Sequence, residues 1–452
     1  MTTRSKRSTT HAARRAALIA GAALVSVSLA SCAPPGSGGT SSAVAQEEIT
    51  SEVTADQIAE LGDITLTLWA DQAEEPLLEA LVPEYEAEYP NVTVDVTYKS
   101  FDDLIATVVN AAASSSPPDL FQGNIGYAVD GALVKAQLIR PIDDIAEVYG
   151  WETGTGASTL GPAKWDESGT TFGSGTLYGM SPISEVQGIY YNTAKLEALG
   201  IAPPTSIAEL EAALPVALAA GEQPIVLGNS DQYAGTHIFS DIAATTQDPT
   251  GISDWIGGDP DATFVTDGNV EAADTMKAWA DAGYFGSGYD GLSNEDAIAR
   301  FAGGDGVFFV GGSWNGASLD QNAYGFGSLT SGGVGATASP WHISAKTEAT
   351  PAAAAFLELL HSPEAGQIIL DNGRLPVITD GVVASTPLQE QTLVALEDTI
   401  AAGTQVGYYD WTTTDMLTVM GGGLQEVMAG RTTSADFVQT VQDAWADGHE
   451  AQ

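Results

Sequence analysis

The sequence predicts an α/β protein with a mostly parallel sheet and more than one domain. Three observations carry that expectation. Strands and helices alternate as β-α-β-α-β between residues 64 and 121, the chain is 452 residues long, and 44% hydrophobic residues are combined with 50 glycines. Alternating strands and helices place helices on the faces of a parallel sheet. A chain of this length exceeds one ordinary core and divides into two or three domains. Glycine at this density marks tight turns and close backbone approaches.

Taken in order, Ile64–Trp69 alternates as a strand and runs into a polar loop at Asp71-Gln72. Leu77, Leu78, Leu81, Val82, Tyr85 and Tyr89 recur at helical spacing, and Pro90-Asn91 ends that helix. Val92, Val94, Val96 and Tyr98 alternate with polar residues as a half-buried strand. Phe101, Leu104, Ile105, Val108, Val109 and Ala112 form an amphipathic helix stopped by Pro117-Pro118, and Asp119–Phe121 reads as a short buried strand. The theme repeats with a strand at Gly188–Asn192 and a helix around Leu196–Leu199. A capping box follows at Ser206 and Glu209, and then a buried strand at Pro224–Leu227. Helices are expected near 271–282 and 294–302, a strand at Gly306–Val310, a helix at Ala352–Leu360 and further helices to the C-terminus. Ligands bind beyond the carboxyl ends of parallel strands. The loops at Asp71, Gln122–Gly126 and Gly311–Gly316 are therefore the places to look.

The charge is extreme: 15 Lys+Arg face 59 Asp+Glu, for a formal net charge of -44. Such a surface repels nucleic acid and disfavours adsorption to anionic lipid. It supports solubility or salt tolerance, or it steers a cationic ligand. The single cysteine, Cys32, excludes an intramolecular disulfide, and the five scattered histidines form no zinc motif. No metal or other cofactor is expected.

Residues 1–31 read as a targeting segment. Arg4, Lys6, Arg7, Arg14 and Arg15 precede an apolar stretch, Ala16 to Leu29, too short to span a bilayer. Leu29-Ala30-Ser31-Cys32 resembles the lipobox of bacterial lipoproteins, in which the cysteine is lipidated and becomes the new N-terminus. Residues 32–62 are expected to be a flexible tether. The body would then meet the membrane only through its lipid, on the extracytoplasmic face.

Five pieces of sequence, in this order, carry a family likeness. They are Leu68-Trp69 before a polar loop; Pro117–Phe121; Tyr178-Gly179 with Pro182, Tyr190–Asn192 and Leu199–Ile201; Gly311–Trp314; and Gly373–Pro376. From about residue 64 onward the chain resembles the extracellular solute-binding proteins of ABC importers. The likeness is to the large sugar-binding branch that includes maltose-binding protein. That resemblance implies the two-lobed periplasmic-binding-protein fold (type II), with a ligand cleft between the lobes. It assigns 64–182 and 301–345 to lobe one, 183–300 and 346–452 to lobe two, and the first crossing to Met180–Ser184. It also implies a small-molecule ligand, a membrane permease as partner and a protein that acts as a monomer.

A sugar site needs flat aromatic faces and polar groups for hydroxyls. By resemblance Trp314 matches the family's stacking tryptophan, with Asn315 beside it. Glu185 matches a carboxylate near the hinge, and Tyr409, Asp410 and Trp411 match a second aromatic platform. Asp71, Gln72, Gln122 and Asn124 lie in the first loops. Asp231 and Tyr233, flanked by Asn229 and His237, follow the 224–227 segment, and Arg374 offers a donor. The sequence departs from the maltose-binding pattern at Gln122, where that relative has an aromatic. Trp255, Trp341 and Trp445 are assigned to the core. A secreted carbohydrate-active hydrolase stays open, since carboxylates beside tryptophans also describe glycosidases. No G-x-S-x-G, P-loop or dinucleotide fingerprint supports catalysis. A binding protein for a non-sugar solute and a structural envelope lipoprotein are the other readings.

Overall fold

Strand β1 (Ile64–Asp71) follows its alternation: Leu66, Leu68 and Ala70 are buried, and the residues between them are more exposed. It pairs in parallel with β2 (Val92–Lys99) over its full length, and with β3 (Leu120–Gln122) through Leu68 and Trp69. Strand Trp341–Ile343 adds antiparallel to β3 and completes a four-stranded sheet. Between β1 and β2, helix α1 (Glu75–Glu88) buries Leu77, Leu78, Leu81 and Tyr85. Between β2 and β3, helix α2 (Phe101–Ala113) is capped by the Ser100 hydroxyl, which accepts from the Asp103 amide. This computed structural model describes residues 47–153, 159–330, 333–335, 337 and 339–450. The described residues belong to one compact unit. The leader and Cys32 lie outside the described residues.

A second sheet has β4 (Gln187–Asn192) at its centre. Helix α3 (Tyr233–Ala244) packs on its core, and β5 (Phe308–Gly312) and β6 (Tyr324–Gly327) pair antiparallel with β4 on either side. Separate cores sit on the two sheets. Leu66, Leu68, Leu120 and Trp341 belong to the first, and Ile189, Phe239, Trp255, Val310 and Trp445 to the second. Trp255, Trp341 and Trp445 are buried as expected.

Four expectations change. Pro224–Leu227 is buried but forms no strand, only one parallel bridge, Ile225 to Phe308. Pro224 has no N–H to donate, and just beyond it Gly228 packs against the Ser293 backbone too closely for a side chain. Of the tether, residues from Ile49 onward are docked. The Ile49 amide donates to Asp144 (2.8 Å), and helix Ala55–Ala59 starts with a Thr54–Gln57 capping box that buries Ile58. The Ser206 hydroxyl does cap its helix, but the Glu209 carboxylate accepts from Thr205 rather than returning to Ser206. Lastly, β5 and β6 join the second sheet, although 301–345 was assigned to lobe one. Helices Thr350–Leu360 and Pro363–Asp371, assigned to lobe two, bury Ala352–Leu357 and Ile369 in the first core. Tyr85 fixes the first of these helices by donating to the Ala352 carbonyl (2.7 Å).

The chain passes between the sheets three times. Met180 bridges to Trp341 on the first sheet, and by Gln187 the chain is in the second. It returns between Gly327 and Trp341. A third passage contains Leu375–Pro376, paired antiparallel with Ile183–Ser184. Glu185 and Arg374 therefore lie on the connecting ribbon itself.

Candidate functional site

Aromatics packed on the core of the second sheet meet beside these passages. Helix α3 places Tyr233, His237 and Asp241 on one face, because residues four apart share a side of a helix. The His237 ring stacks on Tyr408 (centroids 3.9 Å, planes at 16°) and meets Trp314 edge-on at 5.8 Å. Tyr233 lies 5.5 Å from His237, and Trp411 abuts Tyr408 at 5.2 Å. The Trp314 ring folds back over Gly312, where a Cβ would lie 1.7 Å from it. Only glycine permits that approach. Trp314 remains partly exposed. Gly126, in the loop after β3, lies against the Trp411 backbone.

Charged groups line the passages. Arg374 Nη1 donates to Glu74 Oε1 at 2.7 Å, with side chains 11% and 2% exposed. Partial burial pushes Glu185 up to about 7; Arg374 opposes the shift, and Glu74 and Asp71 add to it. Asp71 is also raised by burial, while the Ala73 amide and Arg374 pull it back. Asp410 Oδ1 lies 3.9 Å from His237 Nε2, and burial raises Asp410 to about 6 and holds His237 down at about 3. Asp241 is 1% exposed and is held far above the usual carboxylate range by burial. Neither of its oxygens has a hydrogen-bond partner among the described residues. The same holds for the Tyr408 hydroxyl, Asp410 Oδ1 and both side-chain polar atoms of Gln187, which sits opposite Gly312. Buried polar atoms are normally satisfied by protein, water or ligand.

The structure brings together Asp71, Glu185, Tyr233, Trp314, Arg374, Asp410 and Trp411 around these passages. Other candidates have structural duties. Gln122 is buried and accepts from the Asp71 amide (2.7 Å), which explains why no aromatic stands there. Asn315 is buried and donates to the Gly312 carbonyl. Asp231 accepts from the Asn294 amide at the start of a helix, leaving its second oxygen without a partner. Asn229 accepts from the Gly235 amide. The Asn124 backbone N–H donates to Asp130, and Gln72 is exposed on a short turn. Tyr409 is corrected: it is 2% exposed among Phe239, Trp255 and Phe264, and its hydroxyl lies near Gln247 and Asn269. The aromatic that faces Trp314 is its neighbour Tyr408 (6.4 Å). Sequence reasoning also missed Glu74, Gln187 and Asp241. An acid in an apolar helix, in step with Tyr233 and His237, was the available signal for Asp241.

The partly exposed Trp314, backed by the buried His237 and Tyr408 and standing beside carboxylates and unpartnered polar atoms, can stack on the face of a ring, with polar groups near it to bond the ring's substituents. Among the described residues, no group of three or more His, Cys, Asp or Glu is placed to hold a metal, and no helix is long and apolar enough to cross a membrane.

The chain is 26% identical over 238 residues to the "Multiple sugar-binding protein" of Streptococcus mutans, a match covering 49% of this chain and 56% of that protein. The chain therefore matches little more than half of the length of that curated relative. Among solved structures, a chitin oligosaccharide binding protein superposes with a TM-score of 0.72 at 18% identity, covering 85% of this chain and 99% of that one. The galacto-N-biose-/lacto-N-biose I-binding protein of an ABC transporter from Bifidobacterium longum gives 0.67 at 18% identity, covering 86% and 98%. These likenesses show a shared fold, that of two-lobed binding proteins. Residues 80–396 match the family described as bacterial extracellular solute-binding protein, and this chain belongs to that family.

Proposed function

We infer that this protein captures a sugar or oligosaccharide between its two lobes and delivers it to the permease of an ABC importer, without chemical change. The observation that carries the reading is the site beside the interlobe passages. There Trp314 and Tyr408 form an aromatic wall, next to buried polar atoms that have no partner among the described residues. The names of the relatives, all binding proteins for sugars, support the same reading. Lobe one would be built on the first sheet together with 350–371, and lobe two on the second sheet together with α3 and the C-terminal helices. A ligand touching both gains contacts only when they close, and that difference shifts the population to the closed form. A permease would read that form. Cys32 would carry the lipid after removal of 1–31, holding the body at the extracytoplasmic face of the cell membrane.

The test is a thermal-shift screen of the body from Ala43 onward against sugars, polyols, amino acids and peptides. A ligand that binds only the folded state raises the melting temperature. A shift with one sugar class supports the reading, and shifts confined to amino acids or peptides overturn it.

A further inference from the structure

The loop after β3, residues 123–131, is rooted on the first sheet and reaches into the second core. At its root the Gly123 amide donates to the Pro340 carbonyl (2.8 Å). Asp130, fully buried, lies 3.1 Å from His342 Nε2 and accepts from the Asn124 backbone N–H (2.9 Å). His342 stands on the strand paired with β3, and its Nδ1 donates to the Tyr178 carbonyl (2.8 Å). A Cβ on Gly123 would lie 2.2 Å from Asp130 Oδ1 and 2.5 Å from His342 Nε2, so only glycine lets the loop close over this pair. The tip belongs to the other body. Ile125 is 3% exposed within the second core. Gly126 takes a φ of +104° and lies against the Trp411 backbone. The Tyr127 ring meets His449 of the C-terminal helix (Ser434–Glu450) edge-on at 5.3 Å, and its hydroxyl lies 3.3 Å from the Gly257 carbonyl. His449 Nε2 lies in turn 3.2 Å from the hydroxyl of Thr412, the residue after Trp411. These contacts are additional to the three covalent passages. Passages of that kind allow rotation about a hinge, and contacts beside them are made or lost as the two bodies swing. A contact made in one arrangement alone shifts the population towards it.

We propose that residues 123–131 are a strap that holds the empty protein closed, with Ile125 and Tyr127 gripping the second core and the Asp130–His342 pair anchoring the strap to the first sheet. Solute then enters through the minor open form, so the strap sets the rate of capture. This depends on no particular ligand. The Tyr127 ring also packs on Trp165 and Phe172 (5.2 and 5.5 Å), and its hydroxyl donates to the Thr170 carbonyl (2.9 Å). Tyr127 clusters there with Phe121 of β3, so it stays on the first sheet when its grip on the second core is released.

The experiment measures the separation of the two bodies with no solute present. The protein from Ala43 onward carries no cysteine, because the chain's single cysteine is Cys32. Glu84→Cys and Glu271→Cys, both at exposed positions, therefore take spin labels selectively. Glu84 lies on α1, against the first sheet, and Glu271 on helix Asp267–Asp281, which packs in the second core. The labelled protein is unfolded in guanidinium and refolded by dialysis to strip any bound solute. Double electron–electron resonance should then show one distance, with an open component below about 10%. Tyr127→Phe combined with His449→Ala keeps the Tyr127 ring on Trp165 and Phe172 and removes its hydroxyl and its partner ring. That variant should show a major component shifted by more than about 2 Å, the scale of a rearrangement rather than of side-chain adjustment. Ile125→Ala releases the tip by a separate route and gives the same reading should the double variant fail to fold, as judged by circular dichroism. A wild type that is mostly open, or a folded strap variant with the wild-type distance, overturns the strap. Either result leaves sugar capture standing, since no solute enters the measurement.

Discussion

Replacing Arg374 by Met removes the cation that faces Asp71, Glu74 and Glu185 on the ribbon joining the sheets. The side chain is similar in length, so the change is chiefly one of charge. The pair spans 2.7 Å and both side chains are nearly buried. Two charges about 4 Å apart attract by about 4 kcal/mol at an effective dielectric of about 20. Desolvation offsets much of that gain, but an orphaned partner has no such compensation. Stranding Glu74 should cost about 3–5 kcal/mol. Adding Glu74→Gln removes the orphaned charge and should recover about 2 kcal/mol or more, a coupling visible in a double-mutant cycle. Equilibrium guanidinium unfolding of the four proteins at pH 7 measures it. The deficit of Arg374→Met should shrink in acid, where the stranded carboxyls take up protons. A loss below about 1 kcal/mol would mean that water screens the pair as at a surface. A double variant no more stable than Arg374→Met would refute the idea that stranded charge is the cost.

Further outcomes are expected. Trp314→Ala should weaken binding of a stacked ligand by about 1–3 kcal/mol, roughly 5- to 150-fold in Kd by titration, with the fold retained. Gly312→Ala should weaken the same binding, because its Cβ would displace the Trp314 ring. Glu185 has a folded value of about 7 against an ordinary 4.5, so it binds its proton more tightly in the folded state. The native protein should therefore lose stability as pH rises through that interval and hold level above it. Glu185→Gln should flatten that slope in unfolding curves taken across it. Tyr409→Phe should cost stability through its Gln247 and Asn269 contacts without altering ligand affinity, whereas Tyr408→Phe should alter affinity and leave stability equal or higher.

The first sheet was legible because its signals are local. Alternation in β1 and β2, helical spacing in α1 and α2, and Pro117-Pro118 all act within a few residues. The assignment of later segments to lobes was not legible, since it depends on which surface an apolar helix meets. Ala352–Leu357 is apolar on every side and would suit either core; contacts such as Tyr85 to Ala352 decide. The docked end of the tether was missed because its signals are short: Ile49, Ile58 and the Thr54–Gln57 box lie in a polar stretch. Glu185, Trp314 and Arg374 were singled out from motif position, and all three stand at or beside the passages. Tyr409 missed by one residue: both tyrosines are buried, but Tyr409 opens the short helical turn among Phe239, Trp255 and Phe264, while Tyr408, the extended residue before that turn, lies beside His237 and Trp314. Asp241 and Gln187 carry no motif, and only the absence of partners marks them.

Calorimetric titration of the body with whichever sugar gives the largest thermal shift, with the sugar recovered afterwards, tests solute capture most directly. One saturable site per chain is expected, with a Kd weakened by Trp314→Ala and the sugar returned intact. Conversion of the sugar to a product, or an affinity indifferent to Trp314, would contradict it.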